Sequence, residues 1–167
     1  MAFRVLAEGG TPEEARQAYE GFLRLHEVES HLGESLAMLQ PLVPGGGLRA
    51  HEDAGGHTIA RHVGKTDAEL LARISNNPGI SGASTFTTRA SAETAVSEVI
   101  AANSSAVTNF VAGSGNQLVI TGTTSVSGRF VAQGATNVVS VSTARVVLVR
   151  DSALQVGYRI KTAYPIP

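Results

Sequence analysis

The sequence predicts an α+β fold in which helices come first and an antiparallel sheet follows. Up to about residue 112 the apolar residues recur at intervals of three and four, and the segments open on capping residues. From residue 118 the period shortens to two, and β-branched runs are separated by Gly, Ser and Asn. The 167-residue chain has no cysteine, so neither a disulfide framework nor a thiolate zinc site is possible.

Each element has a local reason. Thr11-Pro12-Glu13-Glu14 places a capping threonine before a proline at the first helical position, with glutamate three after the cap, and predicts a helix over 12–40. Pro41, Pro44 and Gly45-Gly46-Gly47 end it and read as a linker. The expected division is therefore a helical lead-in and linker over 1–47 and a second domain over 48–167. Thr66-Asp67-Ala68-Glu69 is another capping box, opening a short helix through Ile74 that Asn77-Pro78-Gly79 stops. Ala92, Ala95, Val96, Val99 and Ile100 define a helix from about Ala90 to Ala102, and a shorter one spans Ser105 to Ala112. Strands are expected at 118–121, 129–132, 138–141, 144–150 and 158–163.

The formal charge is -1, which excludes the strongly basic body of a duplex-binding protein. The charge is uneven, however. Nine of the fourteen acids lie in residues 1–53, whereas residues 129–161 hold Arg129, Arg145, Arg150, Arg159 and Lys161 against Asp151 alone. That half can face a phosphate backbone although the average charge hides it. No apolar run is long enough for a membrane span, and no signal segment opens the chain, so export is expected to depend on a longer parent protein.

The stretch HEDAGGHTIARHVGKT, residues 51–66, concentrates His51, His57 and His62 with Glu52, Arg61 and Lys65. Such crowding suits acid/base chemistry, a metal, or a chance run at a wet surface. A zinc peptidase needs two histidines four apart on one helix, whereas the histidine after His51 stands six on, beyond Gly55-Gly56. No Gly-x-Ser-x-Gly elbow supplies a serine nucleophile. Acid/base chemistry on RNA fits the residue types. Attack by the 2′-hydroxyl needs a base, an acid for the leaving oxygen, and cations for the phosphoryl charge.

The blocks GGHTIARHVGKTDAELLAR, Ser84-Thr85-Phe86 and YRIKTAYP give the chain, over about 48–165, a resemblance to the bacterial ribonuclease A-like toxin domain of contact-dependent growth inhibition and related polymorphic toxin proteins. The resemblance implies a twisted antiparallel sheet of ribonuclease A type, built without disulfides, and places residues 1–44 in the parent's pretoxin region. It implies a metal-independent endoribonuclease, without cofactor, that leaves a 2′,3′-cyclic phosphate. Its implied catalytic residues are His62, Arg73 eleven positions later, and the pair Thr162 and Tyr164. His57 and His51 are candidates for a second acid or base, and Lys65 and Lys161 for binding RNA phosphate; no metal ligand is implied. The implied partners are an RNA substrate and a cognate immunity protein, with the toxin a monomer when unbound. The place of action is the cytoplasm of a target bacterium, reached as the C-terminus of a larger effector.

Plainer roles exist for the same residues. Arg73 follows Glu69 by four and suits a surface helix pair. His62 suits a hydrogen-bonded histidine in the loop before that helix, and Thr162 and Tyr164 suit one face of a strand edge. Ser84 and Phe86 read as packing, and His26 and His31 as a solvated helix face. A different class of function also fits: a non-catalytic interaction module, docking through helix 12–40, with the histidine loop as a pH-sensitive contact.

Overall fold

A computed structural model describes residues 43–167. The predicted helix over 12–40, with His26 and His31, lies outside the described residues. Among the described residues three helices precede the first strand: α1 (Gly47–Asp53), α2 (Thr58–His62) and α3 (Asp67–Asn76). β1 (Gly82–Phe86) follows, then α4 (Arg89–Ala102) and α5 (Ser104–Ala112), then β2 (Gln117–Ala132), β3 (Val139–Arg150) and β4 (Tyr158–Ile166). The four strands form one antiparallel sheet in the order β1-β2-β3-β4. The α+β class stands, with one strand set among the helices.

The best-specified helices obey the rules that predicted them. Thr66 and Glu69 form the reciprocal capping box of α3. Thr88 and Ser91 form another at the start of α4, whose Ala92, Ala95, Val96, Val99 and Ile100 are all buried. These side chains meet Ile120, Val146, Leu148 and Ile160 of the sheet in the main core. A second cluster joins Leu70 and Ile74 of α3 to Ala83 and Val131 of the β1–β2 pair. Each of those two α3 side chains contributes about 1.5–3 kcal/mol by burial.

Three expectations need correction. The stretch from Val43 to Gly47, expected as linker, is packed against the second domain, because Val43 and Leu48 are each only 1% exposed and sit in the core. Gly45, Gly46 and Gly47 all have positive φ, so the glycine run is a tight left-handed entry into α1. Its anchor is the buried Glu93 of α4, which accepts N–H bonds from Val43 at 3.0 Å and Leu48 at 2.7 Å.

The four strand pieces expected between 118 and 150 are two long strands. β2 runs through Gly122–Gly128 with a register shift between Thr123 and Gly128. Its inward positions there are Gly122, Thr124, Val126 and Gly128, and all but Val126 differ little in hydropathy from the outward Ser and Thr. Gly128 has a steric reason: a Cβ there would overlap Pro165 of β4, whereas at Gly122 it would make only ordinary contact with Val99 of α4, at 3.4 Å. Likewise 138–141 and 144–150 join as β3.

β1 was not expected as a strand. Ala83, Ser84, Thr85 and Phe86 are all buried, so no alternation betrays it.

Candidate active site

The α2–α3 connection is fixed to β1 by its backbone. Val63 bridges to Phe86, Gly64 N–H donates to Phe86 O at 2.9 Å, and Lys65 N–H donates to Thr85 Oγ1 at 3.1 Å. His62, the last residue of α2, is thereby held against β1, where its Nδ1 lies 3.2 Å from Ser84 O. A carbonyl can only accept, so Nδ1 carries the hydrogen and Nε2 keeps its lone pair. Arg73 sits in the last turn of α3 and reaches back only to Arg61 O, at 3.5 Å. Glu69, the expected surface partner of Arg73, is instead engaged with Thr66.

β4 reaches the site through a bulge. Ile160 pairs with Leu148 but Thr162 pairs with Val147, leaving Lys161 as the extra residue. Ile160 and Thr162 are two apart and would share a face on a regular strand. The bulge instead keeps Ile160 in the core and turns Thr162 and Tyr164 to the other face, while Ala163 and Pro165 take the buried positions. The α1–α2 segment braces this irregularity: His57 N–H donates to Lys161 O at 3.0 Å, and Thr58 Oγ1 accepts Ala163 N–H at 2.9 Å. Gly56 is required there, since a Cβ would overlap Ile160 O and lie 2.8 Å from His51 O.

These elements enclose an open cavity of about 790 Å³ lined by His57, His62, Arg73, Ser84, Arg145, Thr162 and Tyr164, with Gly79–Gly82 and Phe130 extending it. No carboxylate side chain lines it. The His62 ring stacks on Tyr164 with centroids 5.1 Å apart. Thr162 Oγ1 is buried without a hydrogen-bond partner. Desolvation, opposed by the bond to Ser84 and reinforced by Arg73, His57 and Arg61, pushes the His62 pKa down to about 4. The imidazole is therefore neutral at pH 7, with a free lone pair at Nε2. His57 is also pushed down, first by desolvation and then by Arg61.

The low His62 pKa has a consequence for stability. A folded pKa of about 4 against an unfolded value of 6.5 means that the unfolded chain binds the extra proton between those pH values. The contribution is complete above pH 6.5 and disappears as pH falls toward 4. Its size is on the order of 3 kcal/mol. Urea midpoints measured from pH 7.5 to 4.5 are expected to fall on this account, and the fall to be smaller in His62→Phe.

The four residues implied as catalytic, His62, Arg73, Thr162 and Tyr164, thus line one cavity together with His57. The other candidates lie elsewhere. His51 is 1% exposed and outside the cavity; its Nδ1 accepts Ile160 N–H at 3.1 Å and its Nε2 lies 2.8 Å from Pro44 O. With both nitrogens engaged and its ring parallel to Tyr158, His51 ties α1 to β4 and has no free position for proton transfer. Lys65 and Lys161 do not line the cavity. The start of α3 is capped by the Thr66–Glu69 box, and the Glu52 carboxylate accepts from Ile59 N–H and Ala60 N–H of α2. Among the described residues no group of three or more His, Asp or Glu side chains gathers as metal ligands.

Sequence reasoning missed Arg145 as a site residue. Its signal was a cation set between Ala144 and the apolar run Val146-Val147-Leu148-Val149, opposite Tyr164.

A neutral imidazole in one cavity with a phenol and guanidinium groups that have no carboxylate partner is a site for moving protons at an anion. Residues 56–165 match the family model described as the bacterial CdiA-CT RNAse A domain. The chain belongs to that family: it is a ribonuclease of the ribonuclease A-like toxin class of contact-dependent growth inhibition. Among solved structures, it is similar to one chain in the crystal structure of a CdiA-CT/CdiI complex from Y. kristensenii 33638. The identity is 43% and the TM-score 0.62, over 67% of this chain and all of that one. No curated protein matches.

Proposed function

We propose that this ribonuclease cleaves RNA without a metal ion, by transphosphorylation to a 2′,3′-cyclic phosphate. The carrying observation is His62, a buried neutral imidazole whose Nδ1–H is held by Ser84 O and whose Nε2 is free, in the same cavity as Arg73. Nε2 takes the proton of the 2′-hydroxyl as that oxygen attacks phosphorus, and the bond from phosphorus to the 5′-oxygen breaks. Tyr164, stacked on the base, donates to the departing 5′-oxygen and recovers its proton through solvent once His62 releases the one it took. Arg73 and the unpartnered Thr162 hydroxyl bind the non-bridging oxygens, whose charge grows in the transition state. His57 remains the candidate for an auxiliary proton carrier at this cavity.

The toxin acts, on this reading, in the cytoplasm of a target cell after delivery as part of a larger effector, and it is monomeric until its immunity protein binds. That the similar CdiA-CT chain was crystallised with CdiI supports a cognate partner here. A cavity rich in arginine and free of carboxylate side chains suits a partner with an acidic surface. A non-catalytic docking module is not supported: it relied on helix 12–40, outside the described residues, and the family is one of ribonucleases.

The mechanism requires the neighbouring 2′-hydroxyl. An oligonucleotide with a single ribonucleotide in a DNA background should be cut only on the 3′ side of that residue, and an all-DNA strand should survive. Cutting of the all-DNA strand at a comparable rate would exclude the mechanism.

A further inference from the structure

Arg145 lies on β3 directly across from Tyr164, and we propose that its guanidinium is a second cationic contact to the scissile phosphate, placed on the sheet wall as Arg73 is on the helix wall. This rests on the transphosphorylation reading above. The flanking Ala144 and Val146 are completely buried in the core, so strand alternation turns Arg145 to the opposite face, into the cavity. Its guanidinium carbon stands 6.0 Å from the centroid of the Tyr164 ring, and its Nε is buried without a hydrogen-bond partner.

The other bases of the basic C-terminal region are accounted for differently. Arg129 pairs with Asp67, and Arg159 with Asp151 at 3.1 Å. Arg150 donates to the carbonyls of Phe110, Val111, Gly113 and Gly115, binding α5 to the sheet. Lys161 is exposed at the bulge, outside the cavity. Arg145 alone of these five both lines the cavity and lacks an anionic or carbonyl partner among the described residues.

A half-desolvated guanidinium without a counter-charge is unfavourable unless an anion completes it. The reacting phosphate is such an anion: it carries one negative charge in the substrate and close to two as the 2′-oxygen bonds to phosphorus. Arg145 therefore favours the transition state over the ground state. Its position against Tyr164 also sets it near the donor to the 5′-oxygen.

The test uses an RNA with one cleavable linkage, as the phosphate and as each phosphorothioate diastereomer, cut by the wild-type chain, Arg145→Lys and Arg145→Gln. Loss of one guanidinium donor is expected to lower kcat by about 10²–10³-fold in Arg145→Gln, with a smaller change in KM and partial recovery in Arg145→Lys. For one diastereomer the oxygen-to-sulfur rate ratio should fall toward one in Arg145→Gln, because the sulfur no longer displaces a guanidinium contact. A merely structural role would lower the rate but leave that ratio at its wild-type value, and this result would overturn the assignment, as would unchanged kcat. Failure of the wild-type chain to form a cyclic phosphate would remove the mechanism itself, a result distinct from any difference among the Arg145 variants.

Discussion

Replacing His62 with alanine is expected to reduce kcat for RNA cleavage by about 10²–10⁴-fold, the usual contribution of a positioned general base. The imidazole is fixed by Ser84 O on one side and the Tyr164 ring on the other, and its low pKa keeps it neutral at the pH of a cytoplasm. The residue is only 7% exposed, so the truncation also leaves a small void beside β1. His62→Gln keeps more of the volume and can retain a donor toward Ser84 O, yet has no comparably basic atom. Both variants should show a loss of that order, with Gln closer to wild-type stability. Folded protein confirmed by circular dichroism, together with undiminished cleavage by both, would remove His62 from the chemistry.

The largest effect on stability is expected at Glu93. Its carboxylate accepts two buried backbone donors, Val43 N–H and Leu48 N–H, and so holds the entry into α1 against α4. Glu93→Ala strands both. At about 1–3 kcal/mol for each unsatisfied donor, the variant should lose on the order of 3 kcal/mol. Glu93→Gln preserves one acceptor and should lose less. Urea titration followed by circular dichroism measures the difference, and equal midpoints for the alanine variant and wild type would contradict the role assigned to Glu93. Glu93 does not line the cavity, so activity measured well below the unfolding transition should persist.

What was legible in the sequence followed from strong local rules. The box at Thr66 located α3, and the apolar spacing of α4 identified its buried side chains one by one. Elements set by tertiary contact were not legible. Four successive residues of β1 are buried and show no period, while α1 depends on a glutamate forty-five positions away from Leu48. The joined strand β2 hid behind its glycines, of which Gly128 is required because Pro165 of β4 comes close.

The site divided in the same way. His62 and Arg73 were singled out by the family resemblance, since their own spacing suited a loop histidine and a surface helix pair equally well, and Thr162 and Tyr164 were expected to share a face. That this face opposes Ile160 depends on the bulge at Lys161, which alternation alone cannot disclose. Three histidines close together in sequence serve three different purposes. His51 ties the core, His57 lines the cavity mouth while its N–H braces β4, and His62 presents Nε2. Arg145 went unnoticed because its partner Tyr164 is close only across the strand pair.

The most direct test is the identity of the ends left on a single-stranded RNA by the wild-type chain in excess chelator, with His62→Ala as the control. A 2′,3′-cyclic phosphate paired with a 5′-hydroxyl, undiminished by the chelator and absent with His62→Ala, is the predicted result. A 5′-phosphate product, or cleavage that stops when divalent ions are removed, would contradict the account.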